Sequence, residues 1–138
     1  MRPLFLLLLA ALPALAQQLQ PAVSLTAGMH RIRAEVAADF TTRARGLMYR
    51  ESMPESSGML FIFDELDKHC MWMKNTLIPL SVAFLDEQGR IINIADMAPQ
   101  TENSHCAARP ARYALEMNKG WFAARGVKPG AAIGNLPR

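Results

Sequence analysis

Met59-Leu60-Phe61-Ile62-Phe63 is an unbroken apolar run. It has no polar face, so it predicts a strand buried on both sides. The pattern changes on either side of it. Glu51 to Gly58 is turn-rich, with Pro54, Ser56 and Ser57, and Asp64 to Lys68 reads as a charged turn. Upstream, His30 to Ala37 alternates, with Ile32, Ala34 and Val36 on one face and Arg31, Arg33 and Glu35 on the other. That is a half-buried strand. Asp39 or Thr41 caps a short helix through Arg43, Ala44 and Leu47, and Arg45-Gly46 ends it.

Downstream, His69 to Lys74 reads as a further strand. Val82 to Leu85 and Ile91 to Ala95 flank Asp86-Glu87-Gln88-Gly89, a hairpin with glycine at the positive-φ position. Met97 to Pro110 is a long polar loop. Arg112 to Met117 alternates through Tyr113, Leu115 and Met117. Asn118 caps a second short helix holding Trp121 and Phe122, and Gly126 ends it. A last short strand lies near Ala131 to Gly134. The expectation is α+β: a mainly antiparallel, curved or barrel-like sheet of about six or seven short strands with two short helices.

The N-terminus reads as a targeting segment. Met1-Arg2-Pro3 is a short positive region before the nine-residue apolar run Leu4 to Leu12. That run makes a helix about 14 Å long, whereas a bilayer core needs about 20 residues. Pro13 breaks it, and Ala14-Leu15-Ala16 fits small-x-small cleavage. Residues 1–16 are expected to be a signal peptide of bacterial type. Residues 17–29 form a lead-in, partly linker, and 30–136 form one domain. No Cys follows the cut, so a lipid anchor is not expected. The mature chain has no transmembrane span and is expected to be periplasmic or secreted.

Hydrophobic residues make up 51% of the chain, and 13 of the first 16 residues are apolar. The remaining 122 residues are 47% apolar, which excludes disorder and suffices for one domain. Aromatics at 7% and the lack of a Lys/Arg run argue against nucleic-acid binding. Residues 97–138 hold 6 basic and 2 acidic side chains, a basic end that would suit an anionic partner or simply be solvated.

Four segments together carry a resemblance: Arg45-Gly46-Leu47-Met48, Gly58 to Phe63, Trp72-Met73-Lys74-Asn75-Thr76-Leu77-Ile78-Pro79-Leu80, and Pro110 to Glu116. Gly120 and the turn Arg125-Gly126-Val127-Lys128-Pro129-Gly130 extend it. The chain resembles the domain of unknown function 192 family over about residues 30–136. The family is often found behind a signal peptide. Its activity is not established, so the resemblance implies a fold and no catalytic residue.

Cys70 and Cys106 both lie in the mature chain, and an oxidising compartment permits their disulfide. Closing a loop of this length would stabilise the fold by about 4 kcal/mol in the chain-entropy picture. The dipeptides His69-Cys70 and His105-Cys106 also offer soft metal ligands. On a strand, however, neighbouring side chains point to opposite faces and cannot share one ion. His69, Met71 and Met73 would share a face, which keeps a copper-handling reading beside that of flexible core filling.

Trp72 to Leu80 is the strongest candidate site. In the functional reading Trp72 is a flat wall and Lys74 and Arg112 face an anion. Asn75 orients the ligand, with Thr76 and Glu116 nearby. In the structural reading Asn75 shapes a turn and Lys74 pairs with Glu116. There is no Ser elbow, His-x-x-x-His helix or phosphate-binding glycine loop. The leading expectation is a non-catalytic binding or accessory module for a small polar or anionic ligand or an envelope partner, with no cofactor. The alternatives are an envelope hydrolase using Glu116 or Asp39 with Lys74, and the copper protein.

Overall fold

The computed structural model describes Met1 and residues 20–137. Apart from Met1, the expected signal peptide lies outside the described residues. In chain order the elements are β1 (Ala22–Ala27), β2 (His30–Ala37), α1 (Phe40–Arg45), β3 (Ser57–Asp67) and β4 (Cys70–Met71). Then follow β5 (Leu80–Leu85), β6 (Ile91–Met97), β7 (His105–Cys106), β8 (Ala111–Asn118), α2 (Trp121–Ala124) and β9 (Ile133–Gly134). Seven strands form one sheet in the order β6-β5-β8-β3-β2-β1-β9, and β4 pairs with β7 separately. The class is α+β, a curled half-barrel. Bridging of Arg90 to Ala132 brings its two edges together.

Within the large sheet β2 and β3 run parallel, and the other pairs are antiparallel. A parallel pair needs a crossover, and α1 lies in it. The helix starts where Asp39 accepts the Thr42 N–H at 2.8 Å and Thr42 Oγ1 faces the Asp39 N–H in return. It stops at Gly46, whose φ of 50° and ψ of −129° suit glycine.

Alternation sorts the strand residues into two cores. All seven strands contribute to the first, through Leu25, Ile32, Leu60, Leu115, Ala83, Ile91 and Ile133, and Trp121 and Phe122 of α2 pack into it. The opposite face carries Met59, Phe61, Val82, Phe84 and Ala114. Among the described residues no second large sheet covers that face, and the short α1 lies over part of it. Leu47, Met73, Ile78 and Ala107 close it from irregular segments.

The structure departs from several sequence expectations. Residues 22–27 of the lead-in form β1, whose register against β2 pairs Leu25 with Ile32. β3 does not stop at Phe63 but continues through Asp67, as an exposed end with no core to bury. His69 to Lys74 is not a continuous strand: two residues pair with β7, and the chain then leaves the extended state, with Asn75 at φ 53°. Asn118 does not cap α2. It ends β8, and its amide donates to the carbonyls of Met53 and Pro54, while Gly120 takes the N-cap position. Glu35 is not solvated like Arg31 and Arg33 on its face. It is buried against Arg50.

Candidate functional site

Behind α1 the irregular cover leaves a cavity of about 360 Å³. Three segments shape it: α1 with the following turn, the outer half of β3, and residues 69–76. Apolar walls come from Met48, Phe61, Phe63, Met71 and Trp72. Trp72 is 47% exposed and Phe40 more so, which places both at the mouth. Arg43 also lines the opening, but its guanidinium is committed to the carbonyls of Ala38 and Ile62 and to Asp64.

Glu116 reaches this cavity from the central strand β8. Its neighbours across the sheet are Met59 on β3 and Val82 on β5, both apolar. The residue is 4% exposed, and its side chain makes no hydrogen bond or ion pair with any described residue. No unpartnered side-chain N or O among the described residues is fully sealed from solvent, so the carboxyl opens to the cavity. Burial alone pushes its pKa up to about 8, because nothing nearby compensates the charged form. At neutral pH it is chiefly a carboxylic acid, able both to donate and to accept.

The wall opposite α1 is stapled in place. Cys70 and Cys106 are bonded and face each other in the β4–β7 register. Backbone bonds continue the join: Ala107 N–H donates to the His69 carbonyl at 2.9 Å, Met73 N–H to Thr101 at 3.0 Å, and Gln100 N–H to Thr76 at 3.0 Å. The polar loop 98–110 thereby holds the segment that carries Trp72.

Of the residues singled out from sequence, Trp72, Thr76 and Glu116 come together at the cavity. Thr76 Oγ1 spends its proton on the Lys74 carbonyl at 3.1 Å. Lys74 does not pair with Glu116; its ammonium lies 5.3 Å from the centroid of the Trp72 ring. Asn75 shapes the turn, and its carbonyl accepts the Tyr49 N–H at 2.9 Å. Arg112 lies elsewhere, bracing β3 through the carbonyls of Phe63 and Asp64 and pairing with Glu87. The two anion-facing cations of the sequence reading therefore do not converge.

Asp39 serves α1 as its cap, and the Thr42 N–H holds its carboxyl below the usual range. His69 stacks on Phe63 at 3.8 Å and hydrogen-bonds the Glu65 carbonyl. His69 and Met71 line the cavity, but Met73 is sealed in the second core, so that trio does not assemble.

Sequence reasoning overlooked Met48, Phe61 and Phe63 as wall residues. A signal for the phenylalanines was present: Met59, Phe61 and Phe63 are two apart and share a face. That this face belongs to a cavity follows only from the register of β3 with β8.

Comparison with known families decides the relationship. The uncharacterized ACR family, DUF192, matches residues 23–134. The chain belongs to the DUF192 family. Among solved structures, a protein of unknown function from Novosphingobium aromaticivorans DSM 12444 is 35% identical, with a TM-score of 0.82. That match covers 91% of this chain and 94% of the other. A proposed transcription regulator from Sinorhizobium meliloti 1021 is 37% identical, with a TM-score of 0.76, over 81% of this chain and 90% of its own. Comparison with curated proteins finds no match. The DUF192 fold is thus shared, and the family's function is not established.

Proposed function

We propose that this DUF192 chain is an exported binding module that seats a small amphipathic ligand behind α1. The polar end of the ligand meets the Glu116 carboxyl, and its apolar body lies against Phe61, Phe63 and Trp72. One observation carries the reading: a buried carboxyl without a partner opens into a cavity with apolar walls. A buried polar group without a hydrogen bond costs about 1–3 kcal/mol, and a ligand that bonds it recovers part of that. The cavity size falls in the range used for small molecules, roughly 300–1,000 Å³.

Export is part of the proposal. The apolar run Leu4 to Leu12 with its Ala14-Leu15-Ala16 cleavage pattern supports it, as does a disulfide that suits an oxidising compartment. N-terminal sequencing of the protein from a periplasmic or medium fraction should begin at Gln17.

A fragment screen read by thermal shift and by Trp72 fluorescence tests the site. Hits should stabilise the wild type and disappear in Ala44→Trp, which fills the mouth from the exposed side of α1. A screen in which no fragment shifts the wild type, or in which hits survive Ala44→Trp, removes the proposal.

The hydrolase reading retains one supporting observation, since a carboxyl with a pKa near 8 is suited to general acid work. Neither Asp39 nor Lys74 stands in the cavity with it. Turnover of peptidoglycan fragments that is lost in Glu116→Gln would favour that reading.

A further inference from the structure

The binding proposal leaves open which polar group meets Glu116, and the cavity lining narrows the choice. We infer that the ligand is an organic ammonium ion, with its charge on the Glu116 carboxylate and its apolar body between Phe61, Phe63 and Trp72. This rests on the proposed binding function and deepens it.

An ionised Glu116 has no cation of its own among the described residues. Met59 and Val82 beside it carry no charge, and on the far side of Met59 Glu35 is already matched by Arg50. From α1, Arg43 is committed to two carbonyls and Asp64, and Arg45 lies exposed at the mouth. From β3, the exposed carboxylates of Asp64 and Glu65 stand at the same opening. His69 is held by Phe63 and the Glu65 carbonyl. An anion would find a single donor in the protonated Glu116 and would have to enter past the carboxylates of Asp64 and Glu65. A neutral alcohol would leave the carboxyl protonated and draw on nothing else in the lining.

A cation gains twice. It supplies the missing countercharge, and it lies among aromatic rings whose faces attract positive charge. The protein gives an internal example in the Lys74 ammonium over the Trp72 ring. The neutral acid and R–NH₃⁺ become a carboxylate–ammonium pair, and the carboxyl proton passes to solvent. Below about pH 8, where Glu116 starts out protonated, binding therefore releases a proton.

Three probes of matched shape test this: 2-phenylethylammonium, 2-phenylethanol and 3-phenylpropionate. Each is titrated calorimetrically into the disulfide-intact protein near neutral pH, in two buffers of different ionisation enthalpy. The ammonium ion should bind best, with an enthalpy that depends on the buffer in the sense of proton release. Glu116→Gln, checked for folding by its own thermal transition, should weaken it about tenfold or more and abolish the buffer dependence. Equal or tighter binding of the alcohol, or ammonium binding without proton release, overturns the ammonium assignment and leaves the binding proposal standing. Failure of all three also overturns the assignment, and the broader reading is then decided by the fragment screen and Ala44→Trp.

Discussion

Glu35 and Glu116 stand on the two sides of Met59 in one row across the sheet, and among the described residues only Glu35 has a cation beside it. Both are buried, and the residues beside Glu116 in that row, Met59 and Val82, are apolar. Burial raises the Glu35 carboxyl, but the Arg50 fork and the Gln20 N–H outweigh it and leave its pKa lowered. Glu116 experiences burial with no such compensation. Structural and candidate binding carboxyls are separated here by one strand and one arginine.

Glu116 should make stability fall with rising pH. An acid whose folded pKa is raised holds its proton through folding. Its contribution is complete below the unfolded value of 4.5 and is lost as pH rises through about 8. Relative to Glu116→Gln, the wild type should lose at most about 1.4 kcal/mol per pH unit across that window. Thermal unfolding at several pH values checks it. A gap between the two proteins that stays constant from acid to pH 8 would show that folding does not shift the Glu116 pKa.

The Glu35–Arg50 pair should behave in the opposite sense. A lowered folded pKa stabilises above the ordinary carboxylate range, and that stability is lost as pH falls through the folded value. At neutral pH, Arg50→Met leaves a buried carboxylate unpaired and should cost about 3–5 kcal/mol. Adding Glu35→Gln should restore part of the loss. Urea unfolding of both singles and the double measures the coupling, and strict additivity would contradict it.

Reduction should loosen the wall that carries Trp72. Alkylation before reduction should add no label to the protein, and after reduction it should add one at each of Cys70 and Cys106, the disulfide pair. Replacing both by Ser should destabilise by about 4 kcal/mol. It should also weaken any ligand that quenches Trp72. Unchanged binding in the double variant would mean that the backbone bonds of the polar loop hold the wall unaided.

Gly46→Ala should damage the helix end and the cavity together. The position has φ 50°, and an added Cβ would lie 3.2 Å from Phe61 Cζ. The conformational strain alone is of order 1–3 kcal/mol. Pressure on Phe61, a wall residue, should lower ligand affinity as well. A variant with unaltered stability would mean that the turn re-forms in another conformation.

Much of the fold was legible from local pattern. Alternation located β2 with its observed bounds, and the β5–β6 hairpin was readable from its turn residues. β1 was missed because a six-residue strand ahead of a turn has little pattern of its own and is defined by pairing with β2. The His69 to Lys74 strand was over-read because its residues favour extended backbone, yet only Cys70 and Met71 find a partner strand. For the site, Glu116 was named as a candidate carboxyl on the Arg112–Met117 strand, but its pairing with Lys74 does not form, because that contact depends on a distance no local pattern sets.

Sequence alone determined the alternating faces, a helix start capped by Asp39 or Thr41, the α+β class and the presence of two cysteines that could join. These depend on neighbours along the chain, where backbone preference and the two-residue side-chain period act. Tertiary structure decided the rest. The β3–β8 and β5–β8 registers set Glu116 between Met59 and Val82, and the β2–β3 crossover put α1 above it. Whether a buried carboxylate meets an arginine or an open cavity depends on groups distant in sequence. Arg50 is fifteen residues from Glu35, and nothing in the local pattern around Glu116 records that no such cation among the described residues reaches it.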